Sequence, residues 1–144
     1  MSSKQFFIFF VVVSFFIVSC KKEKESTCTK TMAGMAGVYH YTKMEMSTDS
    51  VFMDISSSVP VCIFDNKFYL NPDGLAVYQD EGSTCGGGGS GVWSLGTDGS
   101  MNLGIGTVIH SDAIIISYDC SKIVFLETDE SGTSPITYRS TISR

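Results

Sequence analysis

From Val38 onward the chain is a succession of short apolar–polar runs separated by turn residues. Val38–Ser47 alternates, with Tyr39 and Tyr41 on one face and Met44 and Met46 on the other, a period of two that predicts a strand apolar on different faces at its two ends. Residues 51–55 form a second strand candidate. Residues 67–71 and 75–79 flank Asn71-Pro72-Asp73-Gly74, where Pro presets the turn dihedral and Gly accepts a positive φ, so a hairpin is predicted. Residues 91–95 and 101–105 flank a second turn, Thr97-Asp98-Gly99. Val108–Ile109 and Ala113–Tyr118 read as one bent strand or two short ones. Residues 121–127 and 135–142, joined through Glu130-Ser131-Gly132, close the series. No long segment carries the 3.6-residue period with good caps. Many short strands and tight turns predict an all-β antiparallel sandwich or barrel, and a barrel leaves no open edge.

The first residues have a different character. Lys4 precedes a Phe/Val/Ile-rich stretch, Phe6 to Val18, of the length of a secretory signal and shorter than the roughly 20 apolar residues of a membrane-spanning helix. Ile17-Val18-Ser19-Cys20 resembles the lipobox of bacterial lipoproteins, in which an apolar residue and a small one precede the modified cysteine. The resemblance implies diacylation of the Cys20 thiol, cleavage before it and acylation of the new amine with a palmitate-type chain. Residues 1–19 are then a signal peptide, residues 20–36 a lipidated cysteine and polar tether, and residues 37–144 the domain. Two or more acyl chains hold a protein stably at a membrane, at about 0.8 kcal/mol per buried CH₂. Lys21, rather than Asp, at the second mature position resembles the outer-membrane sorting pattern. The Lys21–Glu25 cluster resembles surface-export signals of Bacteroidota lipoproteins, so the expected location is the bacterial envelope, periplasmic or surface-facing.

Charge narrows the partners. The 144 residues hold 10 Lys and Arg against 15 Asp and Glu, and from Met32 onward the balance is 5 against 13. Such a domain lacks the basic footprint that neutralises phosphates, so nucleic acid is not an expected partner. It also gains nothing from anionic head groups, which leaves the acyl chains to hold the membrane.

Candidate chemistry is sparse. After Cys20 there remain Cys28, Cys62, Cys85 and Cys120, an even set in an exported chain that suggests disulfides with three connectivities open. No pair has CxxC spacing and His40 and His110 stand alone, so no metal site is predicted and no cofactor is implied. Both histidines read as exposed polar positions on strands. The glycine run between Cys85 and Gly91 is followed by the strand-type Val92-Trp93-Ser94-Leu95 rather than a helix, which makes it a hairpin loop and not a phosphate cradle. Asp80-Glu81 and Asp129-Glu130 sit at strand ends, where solvating a turn accounts for them more simply than acid–base work or a weak calcium site. There is no Gly-x-Ser-x-Gly and no nucleophile–base pair, so an enzyme is not expected. Tyr39, Tyr41, Phe68, Trp93 and Phe125 fall at positions that point into one enclosed core, which they either fill or line as a ligand cavity.

Several elements then occur in order: Gly37-Val38-Tyr39, Cys62-Ile63-Phe64-Asp65-Asn66, Phe68 through Gly74, Glu81-Gly82-x-x-Cys85, and Gly91-Val92-Trp93-Ser94-Leu95. Together they resemble the lipocalin-like domain of small Bacteroidota lipoproteins, over residues 37–144. The resemblance implies an up-and-down antiparallel β-barrel of about eight strands and a disulfide between Cys62 and Cys85. Tyr39 stands where that family usually has Trp, which weakens the plug at the closed end. Cys28 and Cys120 are additional and are expected to pair. The implied function is binding of a small hydrophobic ligand in or at the barrel, with Tyr39, Tyr41, Phe68, Leu70, Trp93 and Phe125 as candidate contacts. The alternative is a filled barrel that serves as a structural or protein-interaction lipoprotein of the envelope, making contact through the loops around 47–50 and 86–91.

Overall fold

In the computed structural model, residues 28–82, 85, 87–106 and 108–144 are described. The alternating runs form nine strands: β1 (Gly37–Ser47), β2 (Met53–Asp54), β3 (Lys67–Leu70), β4 (Leu75–Gln79), β5 (Gly89–Leu95), β6 (Ser100–Ile105), β7 (Val108–Tyr118), β8 (Lys122–Asp129) and β9 (Ile136–Ser143). From β3 to β9 each strand pairs antiparallel with the next, and β1 pairs with both β3 and β9. This closes an eight-stranded up-and-down barrel of lipocalin-like form. The two-residue β2 pairs with the far half of β1, beyond the reach of β3.

Alternation alone does not set which side chains enter the barrel. On β1 the register slips between Tyr41 and Lys43, so one extra residue is accommodated there. Tyr39 and Tyr41 point inward before the slip and Met44 packs against the same core after it. The expectation that Met44 and Met46 face away from the tyrosines is thereby corrected: the bulge inverts the parity. A second slip on β7, with Asp112 at φ +56°, bends Val108–Tyr118 as one continuous strand. The Asn102 side-chain carbonyl accepts from the Asp112 amide at 2.9 Å, which satisfies the backbone where the ladder is interrupted.

One end of the barrel is closed by chain that the sequence places in the tether. Residues 32–35 form a single helical turn, α1 (Met32–Met35), capped by the Thr31 hydroxyl, which accepts from the Gly34 amide at 3.1 Å. Met35 is fully buried over the barrel end. The Tyr39 hydroxyl donates to the Met35 carbonyl at 2.8 Å, and Arg144 donates to the Tyr39 hydroxyl at 2.9 Å and to the Ala36 carbonyl at 2.8 Å. Tyr118 donates to Gly34, and Trp93 donates to the Asn71 carbonyl at 2.7 Å. Tyr39 is therefore anchored at the closed end by hydrogen bonds to α1 and the last residue. Residues 32–36 pack on the barrel end, where Met35 removes apolar area from water.

Both cysteine pairs are joined. Cys28–Cys120 ties the chain ahead of α1 to the β7–β8 turn, with a Cα separation of 5.2 Å. Cys62–Cys85 clips the short helix α2 (Cys62–Asp65) to the loop after β4, with a Cα separation of 5.4 Å. Asn66 follows α2 and is fully buried; its amide donates to the Tyr78 hydroxyl, and its carbonyl accepts from the Glu81 amide at 2.9 Å. On the outer wall Glu45 lies opposite Arg139 and accepts two bonds from its guanidinium, at 2.6 and 2.7 Å, and one from Lys43 at 2.8 Å. The Arg139 guanidinium also stacks 4.2 Å from the centre of the Phe52 ring.

Candidate functional site

The barrel interior brings together the aromatic residues singled out from the sequence. Tyr41 and Phe68 meet edge to face with centroids 5.2 Å apart, and Phe68 lies 5.1 Å from Tyr78. Phe125 packs 5.2 Å from the His110 ring. Tyr41, Phe68, Leu70 and Phe125 line one residual cavity with Met101 and Ile142. Its volume is about 10 Å³, room for one water at most. Tyr39 and Trp93, also candidate ligand contacts, lie at the closed end, where their polar atoms are engaged with α1 and the Asn71 turn. The six candidate positions thus fall into two groups, four in the middle of the core and two in the plug.

The interior also contains a polar chain that sequence reasoning missed. The Tyr41 hydroxyl lies 2.7 Å from His110 Nε2, and His110 Nδ1 lies 2.7 Å from both carboxylate oxygens of Glu127. In the neutral imidazole whose Nδ1–H donates to the Glu127 carboxylate, Nε2 accepts from the Tyr41 hydroxyl. Burial pushes the Tyr41 phenol well above its usual pKa, and the nearby Glu127 carboxylate and Tyr78 push it the same way. Tyr41 is accordingly a neutral donor. The chain gives three polar side chains hydrogen-bond partners within an aromatic core, as burial requires.

His110 is thus not the exposed strand residue expected. Its side chain is 13 % exposed and points inward, because the Asp112 bulge puts it on the same face as Ala113 and Ile115 although its number has the opposite parity. The signal for Glu127 was present: it continues the inward series of Ile123 and Phe125 on β8. His40 is half-buried, one residue along β1 from the inward Tyr39 and Tyr41, and takes no part in the chain. Among the described residues no group of three or more His, Cys, Asp or Glu converges as a metal site would require.

Two depressions mark the outer surface. One, of about 270 Å³, lies at the rim between Ser47–Phe52 and Pro135–Thr137, and includes the first of the two expected contact loops. The other, of about 280 Å³, crosses β5, β6 and β7 around Gly104. In the second expected loop, residue 86 lies outside the described residues; Gly89 already belongs to β5, and a side chain at Gly91 would strike the Gly104 carbonyl. Cys20 and residues 1–19, where the sequence leads one to expect a lipidated cysteine and a signal peptide, also lie outside the described residues. No family model matches the chain, and neither the curated proteins nor the solved structures contain a match to it.

Proposed function

We propose that this chain is a lipid-anchored, lipocalin-like lipoprotein of the bacterial outer membrane that works through its outer surface as a structural or interaction module, without catalysing a reaction. The observation that carries this reading is the filled interior: the aromatic side chains and the Tyr41–His110–Glu127 chain leave a cavity of about 10 Å³. Drug-sized ligand sites occupy roughly 300–1,000 Å³. A hydrophobic ligand inside this barrel would first have to displace Tyr41 or Phe68, so ligand storage is the second reading. The anchor rests on the lipobox at Ile17–Cys20 and the charged tether behind it.

Two measurements test the proposal. A palmitate analogue should label the wild-type chain and leave Cys20→Ser unlabelled and released from the membrane fraction. Labelling that survives the substitution would remove the anchor at Cys20. Native mass spectrometry of the purified protein should show the barrel without a retained small molecule; a stoichiometric apolar ligand would restore the storage reading.

A further inference from the structure

The outer face formed by β4, β5, β6 and β7 differs from the rest of the barrel surface. Leu75 lies opposite Val92, Val92 opposite Gly104, and Gly104 opposite Ile109, so one row runs across all four strands. Leu75, Val92 and Ile109 are 55 %, 65 % and 69 % exposed, and Ile114 and Ile116 extend the apolar surface along β7. Gly104 supplies no side chain, and the depression of about 280 Å³ lies over it. Within these four strands Asp112, at the β7 bulge, is the one carboxylate, there is no Lys or Arg, and His110 points inward to Glu127; Lys43, Glu45, Lys122 and Arg139 all belong to β1, β8 and β9. In a domain with 5 basic and 13 acidic residues from Met32 onward, a nearly uncharged wall with this much exposed aliphatic surface marks an interaction face.

The position of the N-terminal segment indicates what covers it. Cys28 is bonded to Cys120 in the β7–β8 turn, and Lys30 Nζ donates to the Ile115 carbonyl at 3.2 Å. The chain therefore joins the barrel alongside β7, next to Ile114 and Ile116. Seven residues separate Cys20 from Cys28, a reach of at most about 29 Å over eight steps. Four strands span roughly 15 Å. An anchor at Cys20 thus keeps every part of this face within reach of the lipid surface, and the other walls carry the charge.

We propose that the β4–β7 face rests on the bilayer into which the Cys20 acyl chains insert, so that the barrel lies on its side; this rests on the lipoprotein reading above. Tethering makes the contact intramolecular, so a docking too weak to hold a free domain suffices. The charged groups at this face are Asp112 at the β7 bulge and Lys30 at its edge, and a Lys ammonium there can reach the lipid phosphates, whereas any other orientation presses more ionised groups against the head groups. Because the remainder of the domain is acidic, anionic lipid opposes the docking, the reverse of a polybasic attachment.

The test uses the lipidated chain in vesicles of phosphatidylethanolamine and phosphatidylcholine. With Cys20 in a thioether and the other four cysteines in disulfides, an introduced thiol is the single labelling site. A nitroxide at Val92→Cys, repeated at Leu75→Cys, should lose several-fold in collision with an aqueous nickel chelate on reconstitution and gain in collision with oxygen. A nitroxide at Thr42→Cys, on β1 across the barrel, should change little. Replacing part of the neutral lipid by phosphatidylglycerol should reduce the protection at 92. Equal aqueous access at 92 and 42 with Cys20 shown by mass to be acylated overturns the docking alone. An unmodified Cys20 overturns the anchor and the docking together. Protection at 92 that disappears on dilution in lipid and is accompanied by spin–spin coupling between labels assigns the face to a second copy of the chain and overturns the membrane proposal.

Discussion

Breaking the Cys28–Cys120 bridge should destabilise the domain more than breaking Cys62–Cys85, although the former joins the outermost described residue to a surface turn. The bridges span 92 and 23 residues. The entropy removed from the unfolded chain by closing such loops corresponds to about 4.6 and about 3.4 kcal/mol. A local term separates two versions of the first substitution. Cys120 has φ +70°, a left-handed conformation that glycine adopts without the cost borne by other residues. Cys28→Ser with Cys120→Gly should therefore retain about 1 kcal/mol more stability than Cys28→Ser with Cys120→Ser. Guanidinium unfolding of an unlipidated chain, followed by Trp93 fluorescence, reads both differences. The denaturant slope should rise in each variant, because an uncrosslinked unfolded state exposes more surface. A smaller loss for the 92-residue bridge than for the 23-residue one, with slopes raised equally, would show that loop entropy does not set these stabilities. Equal stability of the Gly and Ser versions would refute the account of Cys120.

Three further outcomes follow from the core and the wall. Tyr41→Phe leaves His110 Nε2 without its donor and should cost about 1–3 kcal/mol in the same unfolding assay, whereas a cost near zero would mean that the chain is not held as described. Phe125→Ala should cost about 3–5 kcal/mol and open a void that takes up benzene, seen as a raised melting temperature in its presence; wild type should show no such response. Hydrogen bonds from Arg139, with a further one from Lys43, hold the Glu45 carboxylate at a pKa of about 2, against 4.5 ordinarily. Since this pKa is depressed on folding, its contribution is complete above about pH 4.5 and is lost as pH falls through 2. The shift sets an upper limit of about 3 kcal/mol, which solvent screening at the barrel surface reduces to about 1. Glu45→Gln should flatten that part of the acid-stability curve, and an unchanged curve would refute the linkage.

Much of the barrel was legible because strand formation depends on local alternation and turn chemistry. The hairpin at Asn71–Gly74 and the strands on either side of it follow directly from the sequence, with Gly74 at φ +91° as the turn demands. The inward series Ile123, Phe125, Glu127 could be read the same way. The β1 and β7 bulges could not. A single extra residue reverses the facing of everything after it, and its position is selected by the pairing partner rather than by the residues themselves. His110 was misplaced for that reason, and with it the polar chain to Tyr41 and Glu127. The helical turn at Met32–Met35 was illegible for a related reason: too short to carry a period, it is held in place by its contacts with Tyr39, Tyr118 and Arg144.

The sequence by itself determined the antiparallel all-β class and the acidic balance, and through Ile17–Cys20 it carries the motif on which the proposed anchor rests. These are properties of composition and near-neighbour order. How much room the aromatic residues leave inside the barrel depends on tertiary packing alone, because volume left over in a core is a difference between backbone geometry and side-chain size that no local pattern contains. The same holds for the uncharged wall. Leu75, Val92, Gly104 and Ile109 are separated along the chain and become one row only through the strand register.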